Sequence, residues 1–358
     1  MTDADAPRRT PTLIKLAVTV VATLVLLIAA EGGAGLLLAW KDSGDVEGIR
    51  EELHCQYDPD LGWSHRASVH VGDLYGKHRA LTTNARGFRA TEEYTDEVPE
   101  GRYRVICAGD SFTLGYGVDD AATYEAELEA QEPRLQAVNM GQGGYGVDQA
   151  YLWYKRDGVR LDADLVLFVF IAPDFERMLD ARFNGQYSKP LLRAVDGELQ
   201  VDNVPVPNDF DAGGGQRAKL LFERIALGEL LRRATRPNRV EQAMQVAGSP
   251  LPFREPAQLM LADLAQTCTS QGSELVLVQL PLLDPLAGRP EEVSAWISDV
   301  AAELEVPFVD LSPDFRALPP AEAELYYQPD GHFNALGNRL VAERLLVHLR
   351  RVLPSFPR

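Results

Sequence analysis

Five short runs of continuously apolar residues, separated by segments with helical patterning, restrict the folds open to this chain. Continuous apolar runs are typical of strands in a parallel sheet covered on both faces, whereas a sheet with one wet face alternates apolar and polar residues. The runs lie at residues 102–110, 135–141, 163–172, 274–281 and 306–312, and the helical segments at 121–132, 148–157 and 335–352. We therefore predict an α/β fold, a three-layer α/β/α sandwich around a central parallel sheet.

A long interruption separates the third and fourth runs. Residues 189–207 carry an Asp-Gly pair between apolar stretches, which predicts a hairpin. A glycine run follows at 211–216, and residues 219–235 are patterned as an amphipathic helix. Long insertions in small α/β domains often shape a binding site, so we interpret residues 175–255 as a lid-like insertion.

The N-terminal part of the chain contains a long apolar stretch at residues 16–40. At about 1.5 Å per residue, a helix of this length crosses a bilayer core of about 30 Å. Arg8, Arg9 and Lys15 precede the stretch and acidic residues dominate after it, which places the N-terminus in the cytoplasm and the rest outside. A cleaved signal peptide, with small residues at Ala29 and Ala30, and a buried helix are the alternatives.

These observations predict four parts: a cytoplasmic N-terminus (1–15), a transmembrane anchor (16–40), a juxtamembrane extension (41–100) and the α/β domain with its insertion (101–358). The sequence of the extension predicts short strands and turns, and residues 81–90 are predicted to form a strand interrupted by a glycine. The domain is expected to be extracytoplasmic, either periplasmic or extracellular.

Composition excludes some classes of function. The chain has 53 acidic and 35 basic side chains, a formal net charge of −18 that repels nucleic acid. Its three cysteines are widely spaced and do not form a disulfide framework, and Cys107 lies inside an apolar run as a buried strand residue. Without a CxxC motif or a recognisable Cys/His cluster, the sequence predicts no metal site.

Ser111 is the candidate nucleophile. It follows an apolar strand and a glycine in AGDSFTLGYG, at the carboxyl end of a strand, where open α/β sheets bind ligands. The next helix would direct free backbone N–H groups at this position. Asp110 and Ser111 are also good helix caps, so the local pattern alone does not decide between a catalytic and a structural serine.

His332 is the candidate base among six histidines. It lies in YYQPDGHFNALG, in a loop between a turn and the final helix, with Asp330 two positions earlier. A serine hydroxyl needs a neighbouring base to become nucleophilic, and that base needs an acid to fix its tautomer. Taken alone, this pair also fits a turn aspartate beside a surface histidine.

Three segments together resemble the SGNH (GDSL-like) hydrolase superfamily: GDSFT at 109–113, NMGQGGYG at 139–146 and DGHFN at 330–334. The resemblance implies that Ser111 is the nucleophile and first oxyanion donor and that Asp330 and His332 are acid and base. It implies that the Gly144 N–H is the second donor, that Asp110 and Asn139 adjoin the site, and that no cofactor is needed. TTNARGFR and GYGVDQ are similar to a membrane-anchored branch of the superfamily.

The third block departs from the superfamily pattern. Its usual Asn-Asp pair appears as Pro173-Asp174, and proline offers neither a side-chain donor nor a backbone N–H. Loss of one hydrogen-bond donor to the oxyanion lowers kcat by a factor of about 10²–10³. The acid and base are also separated by one residue instead of the usual two, which we regard as minor.

We predict a membrane-anchored serine esterase that hydrolyses carboxylic O-acyl esters, with an acylated envelope glycan or lipid as substrate. An O-acyltransferase that uses the same serine to modify a cell-envelope polysaccharide is the alternative. Pro173 motivates a third hypothesis, a catalytically weak binding protein of the same fold.

Overall fold

The computed structural model describes residues 12–43, 51–183, 187–210, 251–284, 287–319, 322 and 324–357. The predicted glycine run at 211–216 and the predicted helix at 219–235 lie outside these ranges. By their contacts the described residues fall into two compact units, one formed by residues 12–43 and the other by the described residues from 51 onward.

The described strands are β1 Cys55–Asp58, β2 Gly62–His65, β3 His70–Val71, β4 Leu81–Thr82, β5 Tyr103–Gly109, β6 Leu135–Gly141, β7 Leu165–Phe170, β8 Arg182–Phe183, β9 Tyr187–Ser188, β10 Leu191–Val195, β11 Glu198–Asp202, β12 Glu274–Gln279 and β13 Phe308–Asp310. The described helices are α1 Thr12–Ser43, α2 Ser111–Leu114, α3 Tyr124–Gln131, α4 Val147–Arg156, α5 Pro173–Arg177, α6 Arg254–Gln271, α7 Pro290–Glu303, α8 Ser312–Arg316 and α9 Ala335–Val352.

A five-stranded parallel sheet forms the centre of the larger unit, in the order β13-β12-β7-β5-β6. If these five strands are renumbered 1 to 5 in chain order, their order across the sheet is 2-1-3-4-5. This is a doubly wound order, in which the strand order reverses between the first and third strands. The prediction of a central parallel sheet is confirmed. β7 is shorter than the predicted run at 163–172, because Ala172 already has helical backbone angles and leads into α5.

Both faces of the sheet are buried, which explains why its strands lack alternation. In β5, Ile106 and Ala108 join one core, whereas Val105 and Cys107 join the other. Residues of α4, α6 and α7 contribute to the first core, and residues of α3 and α9 to the second. The larger unit therefore has three layers, as predicted, although α6 and α7 were not among the predicted helices.

Two local predictions gave different results. The hairpin of β10 and β11 forms as predicted, and Asp196 and Gly197 both have the positive φ angles, 53° and 81°, of a tight hairpin turn. The predicted strand at 81–90 is wrong beyond Thr82. The Asn84 side chain accepts hydrogen bonds from the N–H groups of Arg86 and Phe88, and this local turn replaces the strand.

A buried arginine of the N-terminal extension makes five hydrogen bonds near the start of the sheet domain. Arg89 donates to Asp120 Oδ1 at 2.9 Å and to the carbonyls of Ala80, Leu114, Gly115 and Val118 at 2.8 Å each. Two of these carbonyls end α2, the helix that begins at Ser111. The residues around Arg89 thus stabilise the chain that follows the candidate nucleophile.

The smaller unit contains α1, a helix of 32 residues. Its apolar side chains from Val18 to Ile28 are largely exposed. Within the ranges that the structure describes, no helix has the combined length and apolarity of a membrane span. The membrane anchor stays a prediction.

Candidate active site

The candidate nucleophile occupies the first position of α2, directly after β5. Asp110 caps this helix by accepting a hydrogen bond from the Phe112 N–H at 2.8 Å, so Ser111 itself is not the cap. Gly109 is required at the end of β5, because a Cβ there would lie 2.2 Å from Thr113 Oγ1 and 2.6 Å from the Val169 carbonyl. The turn holds Ser111 against the sheet and leaves its side chain 6% exposed.

The structure brings Ser111 and His332 together across 221 residues of chain, with 2.8 Å between Oγ and Nε2. On the other side of the imidazole, Nδ1 lies 3.2 Å from Asp330 Oδ2, without the alignment of a good hydrogen bond. Contacts of this kind are often loose in the absence of substrate and tighten when it binds. The serine, histidine and aspartate are therefore connected in the order that a nucleophilic hydroxyl needs.

Two aromatic rings fix the plane of the imidazole. The centroids of Phe112 and Tyr116 lie 4.9 Å and 4.8 Å from that of His332. Gln328 fastens the same loop, since its Nε2 donates to the carbonyls of Tyr116 and Phe333 at 2.9 Å each. The imidazole of His332 is thus in contact with two aromatic rings, and its loop is bound to the chain that follows α2.

The candidate acid, Asp330, is ionised at neutral pH. Burial disfavours the charge on Asp330, but its contacts with the side chain and the backbone N–H of His332 outweigh burial and hold the pKa of the carboxyl below its usual range. Its Oδ1 also accepts from the backbone N–H of His332 at 3.1 Å. An ionised Asp330 favours the tautomer in which His332 Nδ1 carries the proton and Nε2 is free to accept one from Ser111.

The loop after β6 lies beside the nucleophile because β5 and β6 are neighbours. Asn139 connects the two, since its Nδ2 donates to the Thr113 carbonyl at 2.8 Å and its Oδ1 accepts from the Gly141 N–H at 2.9 Å. Gly141 allows α2 to approach, because a Cβ there would lie 1.9 Å from the Leu114 nitrogen. Gly144 follows in this loop with a φ of +78°.

Arg177 is a residue of this site that the sequence analysis missed. Pro173 is the first residue of α5, and Arg177 lies one helical turn later. The Arg177 Nη1 donates to the Tyr145 carbonyl at 3.0 Å and lies 3.4 Å from Asp110 Oδ2, which in turn is 3.4 Å from Ser111 Oγ. The i, i+4 spacing from Pro173 was a signal available in the sequence.

Asp174 belongs to the same group of charges and does not touch Ser111. Its Oδ2 accepts from the Ile171 N–H at 3.0 Å, and its Oδ1 pairs with Arg177. Burial, reinforced by the charge of Asp110, raises the pKa of Asp174 well above its usual range, although Arg177 opposes the shift. Asp174 thus fixes the start of α5 and holds Arg177 near the nucleophile.

The described part of the insertion covers the loop that carries Gly144. A Cβ on Gly144 would lie 2.8 Å from the Phe183 ring, and the Arg177 guanidinium lies 5.8 Å from the centre of that ring. Further along, the buried ammonium of Lys189 pairs with the buried carboxylate of Asp148 in α4. The insertion is therefore attached to the site by both packing and charge.

A comparison with known families agrees with this geometry. The GDSL-like Lipase/Acylhydrolase family matches residues 107–340, more than half of the chain. The chain belongs to this family. Membership in the GDSL-like family indicates a hydrolase that acts on ester bonds, and the matched range includes Ser111, Gly144, Asp330 and His332.

Solved structures resemble the chain at low identity. A lipolytic protein of the G-D-S-L family from Veillonella parvula DSM 2008 has 14% identity and a TM-score of 0.41, covering 71% of this chain and 100% of that one. A lipase/acylhydrolase from Enterococcus faecalis has 15% identity and a TM-score of 0.40, with the same coverage. No curated protein matches the chain. These likenesses are too distant to indicate a substrate.

The first prediction concerns the three connected residues. We expect Ser111→Ala and His332→Ala each to lower kcat for ester hydrolysis to a common floor, about 10⁶-fold below wild type, because residues that act as a unit are non-additive. Asp330→Ala should lower kcat by less, on the order of 10⁴-fold. Steady-state rates of the three variants and of the Ser111/His332 double variant measure this.

His348→Ala is the matched control, since His348 Nε2 lies 2.9 Å from Asp314 in another His–Asp pair. That variant should keep the wild-type rate. If His332→Ala stayed within a few-fold of wild type while folded, His332 would not be the base.

Proposed function

We propose that this protein is a serine esterase that hydrolyses carboxylic O-acyl esters through an acyl-enzyme. The observation that carries the proposal is the 2.8 Å contact between Ser111 Oγ and His332 Nε2 at the carboxyl end of β5. That position is beside the reversal point of the sheet, where doubly wound folds bind their ligands.

In the proposed reaction, Ser111 Oγ attacks the ester carbonyl and His332 Nε2 takes the hydroxyl proton. The C–O bond to the leaving alkoxide breaks as His332 returns this proton to the alkoxide, which leaves as an alcohol. Water then attacks the acyl-enzyme by the same route, with His332 again as base and then as acid, and releases the carboxylic acid and free Ser111. Asp330 stabilises the imidazolium in both steps.

The negative oxygen formed in each step needs hydrogen-bond donors. The backbone N–H groups of Ser111 and Gly144 are the proposed first and second donors. Pro173 supplies none at the third position, and we propose that the guanidinium of Arg177 replaces the missing asparagine. The support is the position of Arg177 Nη1, which lies 3.4 Å from Oδ2 of Asp110, the residue before Ser111. A hydrogen bond to the Tyr145 carbonyl keeps the guanidinium there.

We propose further that α1 anchors the enzyme in a membrane and that the domain is extracytoplasmic. The support is the apolar surface of α1, with Leu26 and Ile28 exposed by 69% and 72%. Apolar surface of this kind is unfavourable in water and stable in a lipid phase. The basic residues Arg8, Arg9 and Lys15 before the stretch favour a cytoplasmic N-terminus.

The second prediction separates hydrolysis from transfer. The purified protein, given an acyl ester with and without a soluble polysaccharide acceptor, should release free acid at the same rate in both cases. Ser111→Ala should release none above background. If the acyl groups were transferred to the polysaccharide and no free acid were released, the protein would be an acyltransferase that uses the same serine.

The third prediction concerns the third oxyanion donor. Arg177→Gln should lower kcat by up to about 10²–10³, the usual contribution of one donor, with little change in KM. Pro173→Asn should raise the rate of wild type little, but should restore much of the rate in the Arg177→Gln background. Unfolding is measured alongside, because Pro173→Asn frees φ and adds an N–H at a nitrogen that lies close to Gly288.

A large gain from Pro173→Asn alone would show instead that wild type works with two donors. If kcat fell equally in Arg177→Gln and in the Arg177→Gln/Pro173→Asn double variant, Arg177 would act by positioning Asp110 and Asp174.

The fourth prediction tests the anchor. A reporter fused after Arg358 should be active outside the cytoplasm, and the protein should sediment with membranes and resist extraction by salt. A reporter active only in the cytoplasm would overturn both the orientation and the location.

A further inference from the structure

A second group of reactive side chains lies outside the proposed active site, in the hairpin of β1 and β2. His54, Cys55 and His65 present ligand atoms that all lie within 4.8 Å of one another. Cys55 and His65 are directly opposite in the hairpin register, so their side chains emerge on the same face. All three residues are buried, with exposures of 0%, 0% and 4%.

The hydrogen bonding of His65 leaves one ring nitrogen with a free lone pair. Its Nδ1 lies 3.1 Å from the Gly87 carbonyl, which only accepts, so Nδ1 carries the proton. Nε2 is then unprotonated, and it is buried without a hydrogen-bond partner. A histidine that donates one ring N–H to a carbonyl and leaves the other nitrogen bare has the arrangement found in metal-binding histidines.

Glu51 supplies a fourth donor. Its Oε2 lies 3.1 Å from His54 Nε2 and 3.9 Å from Cys55 Sγ. Its side chain is 24% exposed, which gives an ion a route from solvent to the buried atoms. The Gln142 amide also donates to Cys55 Sγ at 3.3 Å.

We propose that His54, Cys55, His65 and Glu51 form a binding site for a zinc ion. Two imidazole nitrogens, one thiolate and one carboxylate are ligands that zinc takes in tetrahedral sites. The thiolate and carboxylate together neutralise its charge, and binding releases the thiol proton of Cys55. With metal–ligand bonds of about 2.0–2.3 Å, tetrahedral ligand atoms are about 3.5 Å apart, so modest side-chain rotations close the group around the ion.

The site would join the extension to the loop that carries Gly144. Gln142 contacts Cys55, and a Cβ on Gly143 would lie 3.7 Å from Glu51 Oε2. The Trp63 indole also donates to the Gly143 carbonyl at 3.0 Å. A bound ion would therefore stabilise this loop, a role that differs from catalysis and does not depend on it.

The test is metal binding by the full-length protein. After removal of metal by a chelator and titration with zinc, we expect one tightly bound ion per chain and a higher unfolding temperature. Cobalt in place of zinc should give the absorption bands of a tetrahedral ion and a thiolate-to-cobalt charge-transfer band. Cys55→Ser should abolish the charge-transfer band. Loss of a residue that only hydrogen-bonds to a ligand lowers metal affinity about 10–100-fold, and His65→Gln, which removes a ligand, should lower zinc affinity by more than that.

Cys268→Ser is the matched control, because Cys268 is equally buried and contacts the Tyr154 hydroxyl. It should keep both the stoichiometry and the charge-transfer band. Ser111→Ala should also bind zinc normally, so that an error in the proposed catalytic function would not affect this result. Failure of the folded wild type to retain zinc, or a cobalt spectrum unchanged in Cys55→Ser, would overturn the proposal.

Discussion

The close approach of α2 to the carboxyl ends of β5 and β6 is the contact on which the candidate site depends. Gly109 and Gly141 make it possible, since a Cβ on Gly141 would lie 1.9 Å from the Leu114 nitrogen. Asn139 then bonds to both sides of this contact through its amide. Because α2 begins at Ser111, this packing sets the position of the Ser111 hydroxyl, and the loop of His332 brings the imidazole to it.

Elements outside the sheet hold this arrangement from several sides. Arg89 donates to the carbonyls at the end of α2 from the N-terminal extension, and Asp174 pairs with Arg177 in α5, which follows β7. Lys189 is paired with Asp148 in the interior, so removing either partner would leave a buried charge unpaired. The extension and the insertion are thus supports of the site as well as additions to the fold.

The sequence predicted well wherever a residue's role was fixed by local pattern. β6 and α9 have the predicted bounds, because one is buried on both faces and the other begins at the capping Asn334. The resemblance of three blocks selected Ser111 and His332, which the structure places in contact. β4 ended early because a side chain, Asn84, competed with the strand for backbone groups, and that competition is not visible in apolar periodicity.

Features that depend on three-dimensional register could not be predicted. Arg177 reaches the site only because α5 turns directly after β7, and a single sequence does not give that direction. His54, Cys55 and His65 have no metal-binding spacing, and only the register of the β1–β2 hairpin brings His65 opposite Cys55. The same limit applies to Gly144, whose proximity to Phe183 depends on how the insertion folds back.

Covalent labelling of the full-length protein by a fluorophosphonate, followed by identification of the modified residue, tests the account most directly. Such a probe reacts with a serine whose hydroxyl is activated by a neighbouring base. The account predicts labelling of wild type at Ser111, none in Ser111→Ala, and strongly reduced labelling in His332→Ala. Absence of labelling in folded wild type, or a label on another serine that persists in Ser111→Ala, would contradict it.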